Sequence, residues 1–226
     1  MGISIYLDSG FLGDIEKYAN DPLIDGITCN PTLLKQAAIT DYAAFARDVL
    51  TVVKTKPVSF EVLSDEHIEM ARQADTLAAL AANVYVKIPI TNTRRESSVP
   101  TIRALKDVKV NVTGILTTRQ IEALSELPDT PRIISVFAGR IADTQVDPVP
   151  TVRYAVTRNY WRKKVQVLWA SPRQVYDVLL AEQAGAHIIT LTPALIAKLH
   201  LRGKDLTQFS QETVQQFFDD GKGLTL

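Results

Sequence analysis

Two charged residues stand inside runs that otherwise have the composition of buried strands: Lys87 in "VYVKIPI" and Glu61 in "VSFEVL". Charged side chains are almost never fully buried without a partner, so each needs a reason. One reason is structural, an ion pair of Lys87 with Glu61 or with Asp8 at the end of "SIYLD". The other is chemical. Apolar walls disfavour an ammonium and lower a lysine pKa by up to about 3–5 units. The neutral amine left at working pH attacks a ketone carbonyl and forms a Schiff base.

Shorter polar residues recur in the same kind of run. Side chains alternate across a strand, so in a barrel one parity faces the interior and the other faces the helices. Asp8 shares the parity of Ser4 and Tyr6, Asn30 shares that of Thr28, and Asn111 and Thr113 stand together between Val110 and Val112. Ser135 lies in "RIISVF" and Ser171 ends "VQVLWAS". Taken singly, a serine, threonine or asparagine in a strand reads as a satisfied core residue. Taken together, six or seven runs place a polar group on the face their larger aliphatics avoid, mostly near the C-terminal end. Barrel enzymes build their sites at that end.

The elements that must position these residues are legible as alternation. Strands are expected at "ISIYL", "GITC", "VSFEVL", "VYVKIPI", "VKVNVTGIL", "RIISVF", "VQVLWA" and "HIITL". Helical periodicity fills the intervals, as in "DEHIEMARQADTLAALAAN", "TTRQIEALSEL" and "SPRQVYDVLLAEQAG", the last with Pro172 near its first turn and Gly185 at its end. About eight strand–helix units imply an α/β protein with parallel strands, closed as a (β/α)8 TIM barrel. The chain from 1 to 226 reads as one barrel domain, with 204–226 an extra C-terminal helix and tail. Its aromatics Phe209, Phe217 and Phe218 are placed to pack on the barrel or on a neighbouring subunit.

Composition narrows the function. A chain of 226 residues, 46% hydrophobic, buries one substantial core. Its 25 basic and 25 acidic residues balance, so no net field draws it to nucleic acid or to an anionic membrane. The basic run "RNYWRKK" reads as a solvated helix end. The single cysteine, Cys29, excludes an internal disulfide framework and reads as a small buried residue; the three scattered histidines offer no metal-ligand spacing. The N-terminus has no signal-peptide pattern, and no apolar run is long enough to span a membrane. A reducing, cytoplasmic setting is expected, in which the "NVT" sequon at Asn111 has no consequence.

In order along the chain, "YLDSG", "DGITCNPTLL", "PVSFEV", "VYVKIPIT", "VNVTGILTTRQ", "SVFAGRIAD", "VLWASPRQ" and "AGAHIITLTPALI" resemble the small, single-barrel branch of the transaldolase family, which also includes fructose-6-phosphate aldolase. The resemblance implies the same barrel fold, and Lys87 as the Schiff-base lysine. It implies that Asp8 assists proton transfers around carbon–carbon cleavage. Glu61 would act through a water as general acid and base, with Thr113 helping to hold that water. Asn30 and Asn111 would bind hydroxyls of a dihydroxyacetone unit, with Ser135 beside the same fragment. Arg140, Ser171 and Arg173 resemble a sugar-phosphate clamp. The partners implied are a ketose phosphate donor and an aldose phosphate acceptor, without a cofactor, in the pentose phosphate pathway or a specialised sugar-building route. Pentameric rings that pair into decamers through the C-terminal helix are implied likewise.

Departures from the family pattern bear on the reaction. Glu61 and Phe137 stand where the aldolase branch carries glutamine and tyrosine, which favours transfer of the three-carbon unit over a lyase that releases free dihydroxyacetone. A non-catalytic sugar-phosphate-binding or assembly barrel is the rival from another class; joint retention of Lys87, Asp8, Glu61, Asn30, Asn111 and Thr113 speaks against it. "ASPRQ" shortens the usual phosphate turn by about two residues, leaving Arg173 as either the clamp arginine or a residue of the following helix. Val136 replaces a usual proline and Cys29 a common threonine.

Overall fold

A computed structural model describes residues 2–225. Eight parallel strands, β1 (Ser4–Asp8), β2 (Gly26–Thr28), β3 (Val58–Glu61), β4 (Val84–Pro89), β5 (Val110–Ile115), β6 (Arg132–Val136), β7 (Val165–Trp169) and β8 (Ile188–Leu191), close a barrel in chain order. The connections carry α1 (Leu12–Ala19), α2 (Pro31–Gln36), α3 (Tyr42–Val52), α4 (His67–Ala78), α5 (Val99–Ala104), α6 (Thr118–Ala123), α7 (Ala138–Asp143), α8 (Val149–Arg158) and α9 (Tyr176–Ala184). After β8 come α10 (Pro193–Ile196) and α11 (Leu206–Asp220). The expected (β/α)8 barrel with an extra C-terminal helix is the fold observed.

Strand parity sorts the core into two layers. Leu7, Ile27, Phe60, Val86, Val112 and Val167 face outward and are fully buried under the helices. The opposite parity fills the barrel with a smaller cluster of Tyr6, Ile133, Leu168, Ala170 and Ile188, against which Tyr85 and Phe137 pack. Gly26 makes room for this filling: a Cβ there would lie 2.6 Å from the Tyr6 ring. Above that plug the inward parity turns polar. The register sets Asp8 beside Thr28, Glu61 beside Lys87, and Lys87 beside Asn111 on neighbouring strands. Residues far apart in the chain thereby face one space.

One helix expectation needs correction, and one of the two alternatives for the C-terminal helix falls away. The segment from Ser171 is not helical from its start: α9 begins at Tyr176, while Ser171 takes a left-handed conformation with φ of 60°. Asp177 explains the delay. Its carboxylate accepts the backbone N–H groups of Arg173 at 2.6 Å and Gln174 at 3.3 Å, tying them into a turn. Gly185, in left-handed conformation at φ of 79°, does end α9 as expected. The C-terminal helix is capped by Asp205, whose side chain accepts from Gln208 N at 2.8 Å, but it does not lay its aromatics on the barrel. No described residue of α11 is buried, and Phe209, Phe217 and Phe218 are exposed. Among the described residues no helix is long and apolar enough to cross a membrane.

Candidate active site

A cavity of about 400 Å³ opens at the C-terminal ends of the strands. Asp8, Asn30, Glu61, Lys87, Asn111 and Ser135 border its inner part; Arg140, Ser171 and Arg173 border its rim. Nine of the ten residues singled out in the sequence thus share one space. Thr113 is the exception. It is buried with an unpartnered hydroxyl, but it does not border the cavity. The β5–β6 ladder shifts register between Val112 and Ile115, with Gly114 at φ of 73°, while on the other side Thr113 still pairs with Pro89 of β4.

Lys87 is buried, yet its amine does not face apolar walls. Its Nζ lies 3.0 Å from Glu61 Oε2 and donates to the Cys29 carbonyl at 2.9 Å. The expectation of an apolar lining is therefore corrected, because the register brings a carboxylate to the neighbouring position. A separation of 3.0 Å also leaves no room for a water between the two groups in this arrangement. The Glu61 backbone is gripped by Tyr42, whose hydroxyl donates to Glu61 O at 3.0 Å and accepts from Glu61 N at 2.8 Å. Cys29 is a spectator through its side chain: burial pushes the thiol up to about 12.

Asp8 sits across the cavity floor. Thr28 donates to Asp8 Oδ1 at 2.7 Å and lies 2.6 Å from the hydroxyl of Thr190. Burial raises the Asp8 pKa; the Lys87 charge and the Thr28 hydrogen bond pull it back, and the Glu61 charge adds to the rise. Asn111 is fixed by two hydroxyls, donating to Ser59 Oγ at 3.1 Å and accepting from Ser135 Oγ at 2.7 Å. It is fully buried, so its sequon is inaccessible. Asn30 caps α2 by accepting from Leu33 N at 3.0 Å, while its side chain also hydrogen-bonds Asp8 and helps hold the Asp8 carboxyl down.

The rim is assembled by contact between α7 and the turn after β7. Gly139 lies so close to this turn that a Cβ would stand 1.5 Å from the Ser171 carbonyl oxygen. Only glycine fits there. Gly139→Ala should lower stability by about 3 kcal/mol or more, since overpacking against backbone is relieved only by moving it. Thermal melting tests this, and a variant melting with wild type would show that the turn yields freely. Arg140 places its guanidinium 5.3 Å from the Phe137 ring. Arg173 belongs neither to α9 nor to the free cations of the cavity: Asp143 pairs with it.

Sequence reasoning passed over Ser59, Thr190, Tyr42, Asp143 and Asp177. The first two carry the inward parity of a strand, and Asp143 follows Arg140 by three residues, the spacing of one helix face. Tyr42 and Asp177 left no comparable signal, since their partners are set by tertiary approach and by an irregular turn.

Fold and cavity together define a (β/α)8 barrel with a site of enzyme type at its C-terminal mouth. Residues 5–225 match the model of the family described as Transaldolase/Fructose-6-phosphate aldolase. A probable transaldolase of Thermoplasma volcanium is 30% identical over 223 residues, covering 97% of this chain and 96% of its own. Probable transaldolase 2 of Listeria monocytogenes is 32% identical over 199 residues, 87% of this chain and 88% of its own. The chain belongs to the transaldolase/fructose-6-phosphate aldolase family of enzymes. Solved structures share the barrel alone: KGPDC from Streptococcus mutans at 11% identity and TM-score 0.59 over 86% of this chain and 89% of its own, and orotidine 5'-monophosphate decarboxylase from Metallosphaera sedula at 10% and 0.56 over 94% and 97%.

Proposed function

We propose that the protein is a Schiff-base transaldolase that moves a dihydroxyacetone unit from a ketose phosphate to an aldose phosphate. The observation that carries this reading is the buried Lys87 amine 3.0 Å from the Glu61 carboxylate, inside a cavity that also holds Asp8. Glu61 takes a proton from the Lys87 ammonium, and the freed amine adds to the ketose carbonyl carbon. The same carboxyl then returns the proton to the carbinolamine hydroxyl, which leaves as water and yields the iminium. Asp8 removes the proton of the C4 hydroxyl. The C3–C4 electrons pass into the iminium, an aldehyde departs, and three carbons stay on Lys87 as an enamine. Asn30, Asn111 and Ser135 bind hydroxyls of that fragment, and Arg140, Ser171 and Arg173 receive the phosphate. An aldose phosphate acceptor reverses the sequence.

Transfer is favoured over release of free dihydroxyacetone by Glu61 beside the lysine and by Phe137, rather than a tyrosine hydroxyl, on the cavity wall. The names of the relatives support the same choice. The decisive experiment is borohydride trapping with fructose 6-phosphate and sedoheptulose 7-phosphate, read by peptide mass. A reduced adduct on Lys87, with aldehyde release that depends on an added acceptor, is the expected result. A folded protein giving no adduct with either donor would defeat the proposal, and release that ignores acceptor would reassign the enzyme as a lyase.

Glu61→Gln is expected to slow imine formation about 10²–10⁴-fold, because the amide cannot accept the lysine proton. Single-turnover kinetics report this step. A variant as fast as wild type would exclude Glu61 from proton transfer.

A further inference from the structure

The pairing of Arg173 with Asp143 is specific in its geometry. Arg173 Nε donates to Asp143 Oδ1 at 3.0 Å, and Nη2 donates to Asp143 Oδ2. A guanidinium carries five N–H groups in a rigid planar fork. This side-on bond uses one edge and leaves the end edge, Nη1 with the second N–H of Nη2, uncommitted. Arg173 meanwhile borders the cavity. Its backbone is held separately by the buried carboxylate of Asp177 at 2.6 Å, so the residue is fixed at both ends.

Asp143 is held in turn. It lies three residues beyond Arg140 on α7, on the same helix face. The Arg173 hydrogen bond, with the Arg173 and Arg140 charges, keeps its carboxyl below the usual range. The Gly139 contact with Ser171 fixes α7 against the turn that carries Arg173. At the rim the two guanidinium charges stand against the carboxylates of Asp143 and Asp177, so recognition of an anion there rests on directed N–H groups rather than on net charge. A half-exposed ion pair contributes little to stability, so its two-point geometry matters more than its strength.

We infer that Asp143 is a positioning residue that turns the free edge of Arg173 toward the phosphate of the substrate, setting the preference for phosphorylated over unphosphorylated sugars without touching them. This rests on the reading of Lys87 as the nucleophile for a ketose phosphate. The rival consequence of the same geometry is competition, in which Asp143 occupies Arg173 and must be displaced by phosphate.

The test compares Asp143→Ala, Asp143→Glu, Arg173→Ala and the Arg173→Ala, Asp143→Ala double variant. KM and kcat are measured with fructose 6-phosphate and with fructose, and affinity for inorganic phosphate is titrated calorimetrically. Asp143→Ala should raise KM for fructose 6-phosphate about tenfold, with kcat within about twofold and fructose unaffected. Phosphate affinity should fall by a similar factor, Asp143→Glu should recover most of it, and the Arg173→Ala background should abolish the effect. Unchanged or tighter phosphate binding by Asp143→Ala overturns the inference in favour of no role or of competition. An equal loss with both sugars, or one that persists without Arg173, overturns it in favour of a structural role. If wild type turns over neither sugar, the Schiff-base reading fails by itself, and the phosphate titration still decides the role of Asp143.

Discussion

Lys87→Met should yield a folded barrel with no borohydride-trappable adduct and a loss of turnover of roughly 10⁴-fold or more. Among the described residues no other amine pairs with the Glu61 carboxylate, where Lys87 Nζ sits 3.0 Å away. Methionine is chosen because it keeps the volume of the stem and removes the charge. The same substitution leaves Glu61 without its cation while Asp8 remains across the cavity. Breaking a buried pair in this way costs about 3–5 kcal/mol in fully enclosed sites, and less here because the Glu61 side chain keeps 14% exposure. Adding Glu61→Gln should recover part of that loss. Steady-state assays, mass spectrometry and melting curves on the two variants separate chemistry from folding. Substantial transfer by folded Lys87→Met would end the Schiff-base assignment.

The barrel was readable because its outward parity is so regular. Val58, Phe60, Val86, Val112 and Val167 alternate with inward residues of another kind, and a period of two needs no tertiary information. Lys87 and Glu61 stood out for the same reason, since a charge inside such a run breaks the pattern. Their mutual contact was legible only as one option among two, because register between strands is fixed by closure of the sheet rather than by either strand. The hydroxyls around them were less readable. Ser59, Thr28 and Thr190 look like ordinary strand residues, yet Ser59 orients Asn111 and Thr28 joins Thr190 to Asp8. The rim was least readable. Arg173 and Asp143 are 30 residues apart, and the Ser171–Val175 turn has neither helical nor strand period. In α11 periodicity located the helix correctly but carried no statement about what covers its exposed rings.

Asp8→Asn should cut turnover by about 10²–10⁴-fold and at the same time make the folded protein more stable at neutral pH. The activity term follows from need of the carboxylate. Because the Asp8 pKa lies above the ordinary aspartate value of 3.8, the acid limb of kcat/KM should sit at higher pH than an ordinary carboxylate gives, activity falling as pH drops through it. The stability term has the opposite sign. The folded state binds the Asp8 proton more tightly than the unfolded chain does, so the contribution of Asp8 to stability is greatest below about pH 3.8 and is lost as pH rises through the raised folded value. Asparagine cannot ionise and escapes that loss. The Tm advantage of Asp8→Asn over wild type should therefore be small at pH 4 and grow toward pH 7, while the variant stays almost inactive across the range. A constant Tm difference at both pH values would show that the folded barrel leaves Asp8 unshifted, and an unchanged acid limb in the variant would remove Asp8 from the proton transfers. Growth of the difference with pH would mean that the site keeps, at a cost in stability, a carboxylate that its burial disfavours, as a group retained for chemistry rather than for folding should behave.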